Sequence, residues 1–227
     1  MILKRDFVIV HLYIICTGVK KLNLCLQTTS FEGGVMANSN ITKKALAQSL
    51  KELGATKILD KITVADITDY CGVNRQTFYY HFNDKYELLS WIYNQDLFLP
   101  LTKDLTFDNW VEKLVELFKY MKQQKSFFMN TIKSSNNFFA EYSNKIFAEL
   151  FKKAITDLNL YSRLSEKEQD IYARFFAYGL TGVIVDWALK GMKEKEDELA
   201  VLLQHIILRT EELGYEIYMY RKKERHK

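Results

Sequence analysis

Turn-forming residues are scarce in this 227-residue chain, which has one proline, Pro100, and nine glycines. A β-sandwich or barrel needs turns at short, regular intervals, so the shortage excludes those folds and points to long helices. Cysteine is scarce too: of three, Cys16 and Cys25 lie near the start and Cys71 falls at an apolar helical position. No disulfide framework is available, and a reducing, cytoplasmic setting is expected. The four histidines, His11, His81, His205 and His226, stand far apart without metal-ligand spacing, and His205 is expected at a surface or interface. Neither a paired nucleophile and base nor a phosphate-cradling glycine loop is visible, so no enzyme, cofactor or metal site is expected. Asp186, beside Trp187 in an apolar stretch, reads either as a buried, hydrogen-bonded carboxylate or as a contact between subunits.

A large excess of charge of one sign is also lacking. The formal net charge of +4 is matched by residues 221–227 alone, where five Lys or Arg stand against one Glu. The rest of the chain is near neutral, so affinity for an acidic polymer must come from local placement of a few cations. The basic end is expected to be a solvated, frayed terminus.

The first 35 residues do not fit the rest. Lys4 and Arg5 precede an apolar run from Phe7 to Val19, the length of a signal-peptide core and too short for a comfortable membrane span. No small-x-small cleavage site follows; Lys20 and Lys21 come next, and Leu22-Asn23-Leu24-Cys25 is bulky where a lipoprotein signal wants small residues. Glu32-Gly33-Gly34 is what a purine-rich ribosome-binding site encodes when read in frame. Translation is therefore expected to begin at Met36, with no membrane association.

What the chain does have is three helix starts between Thr63 and Leu88. Thr63 caps a helix with Asp66 three residues on, flanked by the staple pair Ile62 and Ile67, and Gly72 ends it. Val73 and Phe78 bracket a second cap, Asn74, which opens a short helix with Arg75, Gln76 and Thr77 in its first turn. Arg and Gln are the side chains whose forks match guanine and adenine edges, and a recognition helix reads from its N-terminal residues. Phe78 and Phe82 are spaced to face the core, leaving Tyr79, Tyr80 and His81 for phosphate oxygens. Asp84 starts the third helix with Glu87 as its capping-box partner, and Lys85 in its first turn is placed to meet a phosphate together with free backbone N–H groups. Together these starts are expected to form a helix-turn-helix for duplex DNA. Ahead of it, Thr42 to Leu53 forms a bracing helix on Leu46, Leu50 and Leu53, with Lys43 and Lys44 near its start placed to touch phosphate.

The helix from Lys85 should run through Ile92 and stop before Pro100, since the residue preceding a proline is driven out of helical geometry. Beyond it the pattern predicts helices near Phe107–Lys122, Asn136–Leu158, Glu166–Met192 and Glu196–Tyr220. In the last, Leu199, Leu203, Ile206, Thr210, Leu213, Ile217 and Tyr220 recur at steps of four and three. That is a seam for a partner helix, here read as the dimer contact, with intrachain packing as the alternative. Gly179 and Gly182 would let another backbone come close. Aromatics cluster at Trp91, Tyr93, Phe118, Tyr120, Phe127, Phe128, Phe138, Phe139, Tyr142, Phe147, Phe175, Phe176 and Tyr178, either as the lining of an effector pocket or as plain core.

Thr63-Val64-Ala65-Asp66-Ile67, Gly72-Val73, Thr77-Phe78-Tyr79-Tyr80-His81-Phe82, Lys85 and Leu88 together resemble the signature of the TetR family of one-component transcription regulators, over about residues 41–93. The run from Asn74 to Phe82, with Asp84-Lys85-Tyr86 and Trp91-Ile92-Tyr93, resembles most the branch containing activators of dihydroxyacetone-kinase operons. The resemblance implies an all-α chain with a three-helix DNA-binding head and a helical ligand-binding and dimerisation body, acting as a homodimer on a palindromic operator. The chain is accordingly expected to divide into a mis-assigned leader (1–36), head (37–84), body (85–222) and basic tail (223–227). The resemblance also implies DNA contacts from Thr63, Arg75, Gln76, Thr77, Tyr79, Tyr80, His81 and Lys85, and an effector bound either by the body or by a partner protein that the body receives. The competing class is an adaptor that keeps the fold but acts through a partner protein.

Overall fold

The computed structural model describes residues 36–134, 136–157, 165–207 and 209, among which all regular structure is helical. The leader, Thr210, Leu213, Ile217 and the basic tail lie outside the described residues. The head is α1 (Met36–Thr56), a 3-10 turn (Leu59–Lys61), α2 (Val64–Cys71) and α3 (Arg75–His81). The body follows as α4 (Lys85–Tyr93, continued by Asn94–Phe98 and Leu99–Thr102), α5 (Trp110–Gln123), α6 (Lys125–Ile132), α7 (Phe138–Asp157), α8 (Glu166–Leu189) and α9 (196–207). No described helix is long and apolar enough to cross a membrane.

The helix starts form as their caps dictate. Thr63 Oγ1 accepts the Asp66 N–H at 3.1 Å while Asp66 Oδ2 accepts the Thr63 N–H at 2.8 Å, and Gly72 ends α2 at φ 73°. Asn74 Oδ1 accepts from the Thr77 N–H at 2.7 Å and from its hydroxyl at 2.9 Å. Asp84 Oδ1 accepts the Tyr86 and Glu87 N–H groups, both at 2.8 Å. The expected capping box there is displaced by one residue: Glu87 Oε2 takes the Asn83 N–H at 2.6 Å, not that of Asp84. Ser165 and Glu168 form a further box at the start of α8.

Two expectations fail in the body. The helix through Tyr93 does not stop before Pro100. Asn94–Phe98 widens into a π turn in which the Leu99 N–H reaches back five residues to Asn94 O, and the rod continues to Thr102. The wider turn moves the carbonyls that a proline ring would strike in a regular helix, so the missing N–H and the clash are both accommodated. The second failure is α6, a helix that the sequence pattern does not predict and that has no side-chain cap at Gln124. It is held by burial of Phe127 and Phe128.

One continuous apolar core runs from head to body. In the head it comprises Leu46, Leu50, Leu59, Ile62, Ile67, Phe78 and Phe82. In the body Tyr93 is surrounded by rings, with Phe139 at 5.2 Å and Phe128 at 6.1 Å between centroids, while Phe118 meets Trp187 at 5.3 Å and Phe98 meets Phe147 at 5.6 Å. The aromatic cluster is thus mostly core. Phe175 and Tyr178 are the exceptions and stand exposed.

Head and body are also pinned through α1. Lys51 Nζ and the Tyr120 hydroxyl both donate to Asp96 Oδ2, at 3.0 and 2.6 Å, and Asn130 Nδ2 donates to Gly54 O at 2.9 Å. A Cβ on Gly54 would lie 2.8 Å from Phe127 Cδ2, in a ring that is itself fully packed. Gly54→Ala gains roughly 0.5–1 kcal/mol of helix propensity at most, less so near a helix end, against about 1–3 kcal/mol for overpacking. The clash wins, and thermal unfolding should show a lower midpoint that Phe127→Leu in the same chain restores. An unchanged midpoint for Gly54→Ala would show that the α1–α6 approach is looser than described.

Candidate nucleic-acid interface

The second helix of the helix-turn-helix presents one face to solvent and anchors the other. Phe78 is fully buried and Phe82 nearly so, with ring centroids 5.9 Å apart, and Phe78 meets Tyr79 edge-on at 5.5 Å. Because these anchors sit four residues apart, the residues between and before them turn outward. Arg75, Gln76 and Tyr79 are exposed, Tyr80 is 79% exposed, and Thr77 is half-covered by its bond to Asn74. Thr63, at the α2 start, is exposed as well. Of the expected contact residues of α2 and α3, Thr63, Arg75, Gln76, Tyr79 and Tyr80 are therefore exposed, and Thr77 and His81 are half-buried.

Lys43 and Lys44 stand near the start of α1. Lys44 is exposed; Lys43 is half-buried, with its Nζ 5.8 Å from the centre of the Phe82 ring, so it lies against the end of α3. His81 packs edge-on to Tyr80 at 4.9 Å. Burial, and then the nearby Lys43 ammonium, push the His81 imidazole below its ordinary range. Both effects favour the uncharged form of the ring.

Lys85 is the site residue that departs from expectation. Its ammonium does not point out to meet phosphate. It donates to Leu59 O at 2.8 Å and to Ile62 O at 2.7 Å, on the turn between α1 and α2. It is half-buried, and desolvation lowers its pKa against the opposing pull of Asp60, Asp66 and Asp84.

The expected dimer seam is also corrected. Leu199 and Leu203 are buried in the chain's own core, 7% and 5% exposed, because this face of α9 packs inward. Only Ile206 of the described seam residues is exposed, together with Val201, Leu202 and His205. A different stripe is open on α8: Ile171, Phe175, Tyr178, Gly182 and Leu189 recur at helical spacing, all exposed. Among the described residues, apart from its chain neighbours and the backbone of its own helix, nothing lies within 4 Å of a Cβ built on Gly179 or Gly182. Asp186 is on the same side, exposed and paired with Lys190 at 2.8 Å, so it is not a buried carboxylate. The sequence carried the spacing of both stripes, but nothing in it said which was inside.

Among the described residues no group of three or more His, Cys, Asp or Glu is placed to hold a metal ion.

Comparison with known proteins agrees with this architecture. The family model described as bacterial regulatory proteins, tetR family, matches residues 52–91, and that described as transcriptional regulator C-terminal region matches 108–209. A curated relative, the HTH-type dhaKLM operon transcriptional activator DhaS of Lactococcus lactis subsp. lactis, is 28% identical over 159 residues, covering 69% of this chain and 84% of that protein. Among solved structures, a dihydroxyacetone kinase operon activator DhaS superposes with a TM-score of 0.59 at 24% identity, over 77% of this chain and 98% of the other. Native NalD, the secondary repressor of the MexAB-OprM multidrug efflux pump in Pseudomonas aeruginosa, gives a TM-score of 0.53 at 20% identity, over 75% and 96%. At these identities the two structures speak for the fold alone.

Proposed function

Because the chain belongs to the TetR family of transcriptional regulators, which bind DNA operators as homodimers, we propose that α3 is its recognition helix and that two copies pair through the open stripe of α8. Arg75 and Gln76 read base edges in the major groove, while Thr63, Thr77, Tyr79, Tyr80, His81, Lys43 and Lys44 hold flanking phosphates and set the register. The observation that carries this reading is the exposure of Arg75, Gln76, Tyr79 and Tyr80 on a helix anchored by buried Phe78 and Phe82. The pairing face is Ile171, Phe175, Tyr178, Gly182 and Leu189, joined by Val201, Leu202 and Ile206 of α9, where the glycines admit a neighbouring backbone. The protein acts in the cytoplasm, by binding and without chemistry of its own.

The target we favour is an operon of the dihydroxyacetone-kinase type. Its support is the match to a dhaKLM operon activator over 84% of that protein's length. The tightly packed rings around Tyr93 favour signalling to the body by a partner protein over a small molecule held in its centre.

Duplexes enriched by the protein from a random-sequence pool are expected to carry an inverted repeat with half-sites a whole number of helical turns apart. Arg75→Ala should then cost about 1–3 kcal/mol of specific binding and relax one position of each half-site. Enrichment of no duplex, or of sequences without dyad symmetry, would count against the reading.

A further inference from the structure

We infer that Lys51, Asp96 and Tyr120 are positioning residues for operator binding: their polar junction fixes the angle of the head against the body, and with it the half-site spacing that a dimer accepts. The inference rests on the operator-binding reading of the head and on the pairing of two copies.

Three elements meet at one carboxylate. Lys51 comes from α1 of the head, Asp96 from the π turn of α4, and Tyr120 from α5 of the body. Asp96 Oδ2 accepts from the Lys51 ammonium at 3.0 Å and from the Tyr120 hydroxyl at 2.6 Å, and the ammonium also donates to the hydroxyl oxygen at 3.2 Å. Each member holds the other two. The Lys51 and Asp96 side chains are only 18% and 25% exposed, so these charge-assisted bonds are partly shielded from water. Burial, and then the bond to Asp96, push the Tyr120 hydroxyl up, which keeps it a proton donor. The Tyr120 ring is itself steadied by Phe128, edge-on at 6.1 Å.

Apolar contacts such as Phe127 on Gly54 hold α1 close to the body, but they are non-directional, whereas a triangle of short hydrogen bonds is not. Asn130 Nδ2 fixes the end of α1 through Gly54 O, and the junction, about one helical turn earlier, sets its roll. α1 in turn braces α3, since Leu46 and Leu50 share the core with Phe78 and Phe82. A tilt at Lys51 therefore carries α3 with it. In a two-fold pair the same tilt occurs in both copies, and the two recognition helices move together or apart.

Tyr120→Phe removes one bond and no charge, and Asp96→Asn weakens both bonds at nearly constant volume. Wild type and both variants are titrated, as full chains, at a temperature where circular dichroism reports all three folded. Three duplexes are used: the one that the wild type enriches from a random pool, the same half-sites one base pair further apart, and a single half-site. The preference for the enriched spacing over the wider one should fall roughly tenfold in the variants, the scale of one charge-assisted bond. Affinity of Tyr120→Phe for the single half-site should not change. A merely structural role would weaken all three duplexes alike; that result, or an unchanged preference in both variants, would overturn the inference. Residual dipolar couplings of the free proteins read the orientation of α2 and α3 against α7 and α8. These should differ between wild type and variants, and couplings that match throughout would also overturn it. If Asp96→Asn does not fold, Tyr120→Phe decides, because it leaves every charge in place. If the wild type enriches no duplex with two half-sites, it is the operator reading that fails, and the couplings still report whether the junction sets the angle of the head.

Discussion

A Phe175→Glu chain is expected to run as a monomer and to lose operator affinity by roughly 10²–10⁴-fold, the scale of avidity forfeited when two linked reading heads act singly. Phe175 is 68% exposed in the single chain and is flanked on the same stripe by Ile171 and Tyr178. A side chain that large and apolar, in a run of others like it, is what a pairing face requires, and the proposed dimer covers it. Glutamate at that place would be buried against the partner's apolar stripe without a cation, which pairing cannot tolerate. The substitution spares the chain's own core, because the inward side of α8 is made by Ala173, Ala177, Leu180, Ile184 and Trp187. Far-ultraviolet circular dichroism should therefore change little. Sedimentation analysis reads the oligomeric state and a titration with enriched duplex reads the affinity. A variant that remains dimeric and binds as before would move the interface away from this stripe.

The second large effect is Phe78→Ala. The ring is fully buried at the centre of the head, against Phe82 and Tyr79. Its removal should cost about 3–5 kcal/mol, a sizeable part of the 5–15 kcal/mol that typically holds a domain together. The unfolding midpoint should fall on the order of 10 °C, and operator binding should go with it because α3 loses its anchor. Tyr80→Ala offers the contrast. That ring is 79% exposed, so the midpoint should stay in place while binding weakens. Equal midpoints for Phe78→Ala and wild type would mean that α3 does not depend on the anchor described here.

The features that could be read in advance share one property: their physics closes within three or four residues. The Thr63–Asp66 box, the Asn74 cap and the left-handed Gly72 are local solutions to unpaired backbone groups, and each appears where its residues stand. The outward turn of Arg75 and Gln76 follows from the i, i+4 pair Phe78 and Phe82 in the same way. Local rules gave out where a distant part of the chain supplied the answer. Pro100 forbids a regular helix, but a π turn before it, packed through buried Leu97 and Phe98, lets the rod pass. Gly54 looks like a weak point of α1 until Phe127, more than seventy residues on, fills the space of its missing side chain.

From sequence alone came the all-α class, the helix-turn-helix, its caps and the outward face of α3, since periodicity and capping act along one helix and need no knowledge of its neighbours. The tertiary structure decided which apolar stripe is core and which is left open, turning Leu199 and Leu203 inward and Phe175 outward. It also decided that the Lys85 ammonium goes to Leu59 and Ile62 carbonyls and not to solvent. Both depend on what lies opposite a side chain, and a stripe of leucines or a long flexible amine has the same local energy whichever partner it finds. Only the packing of distant segments, which removes particular surfaces from water and brings particular carbonyls within reach, breaks that degeneracy.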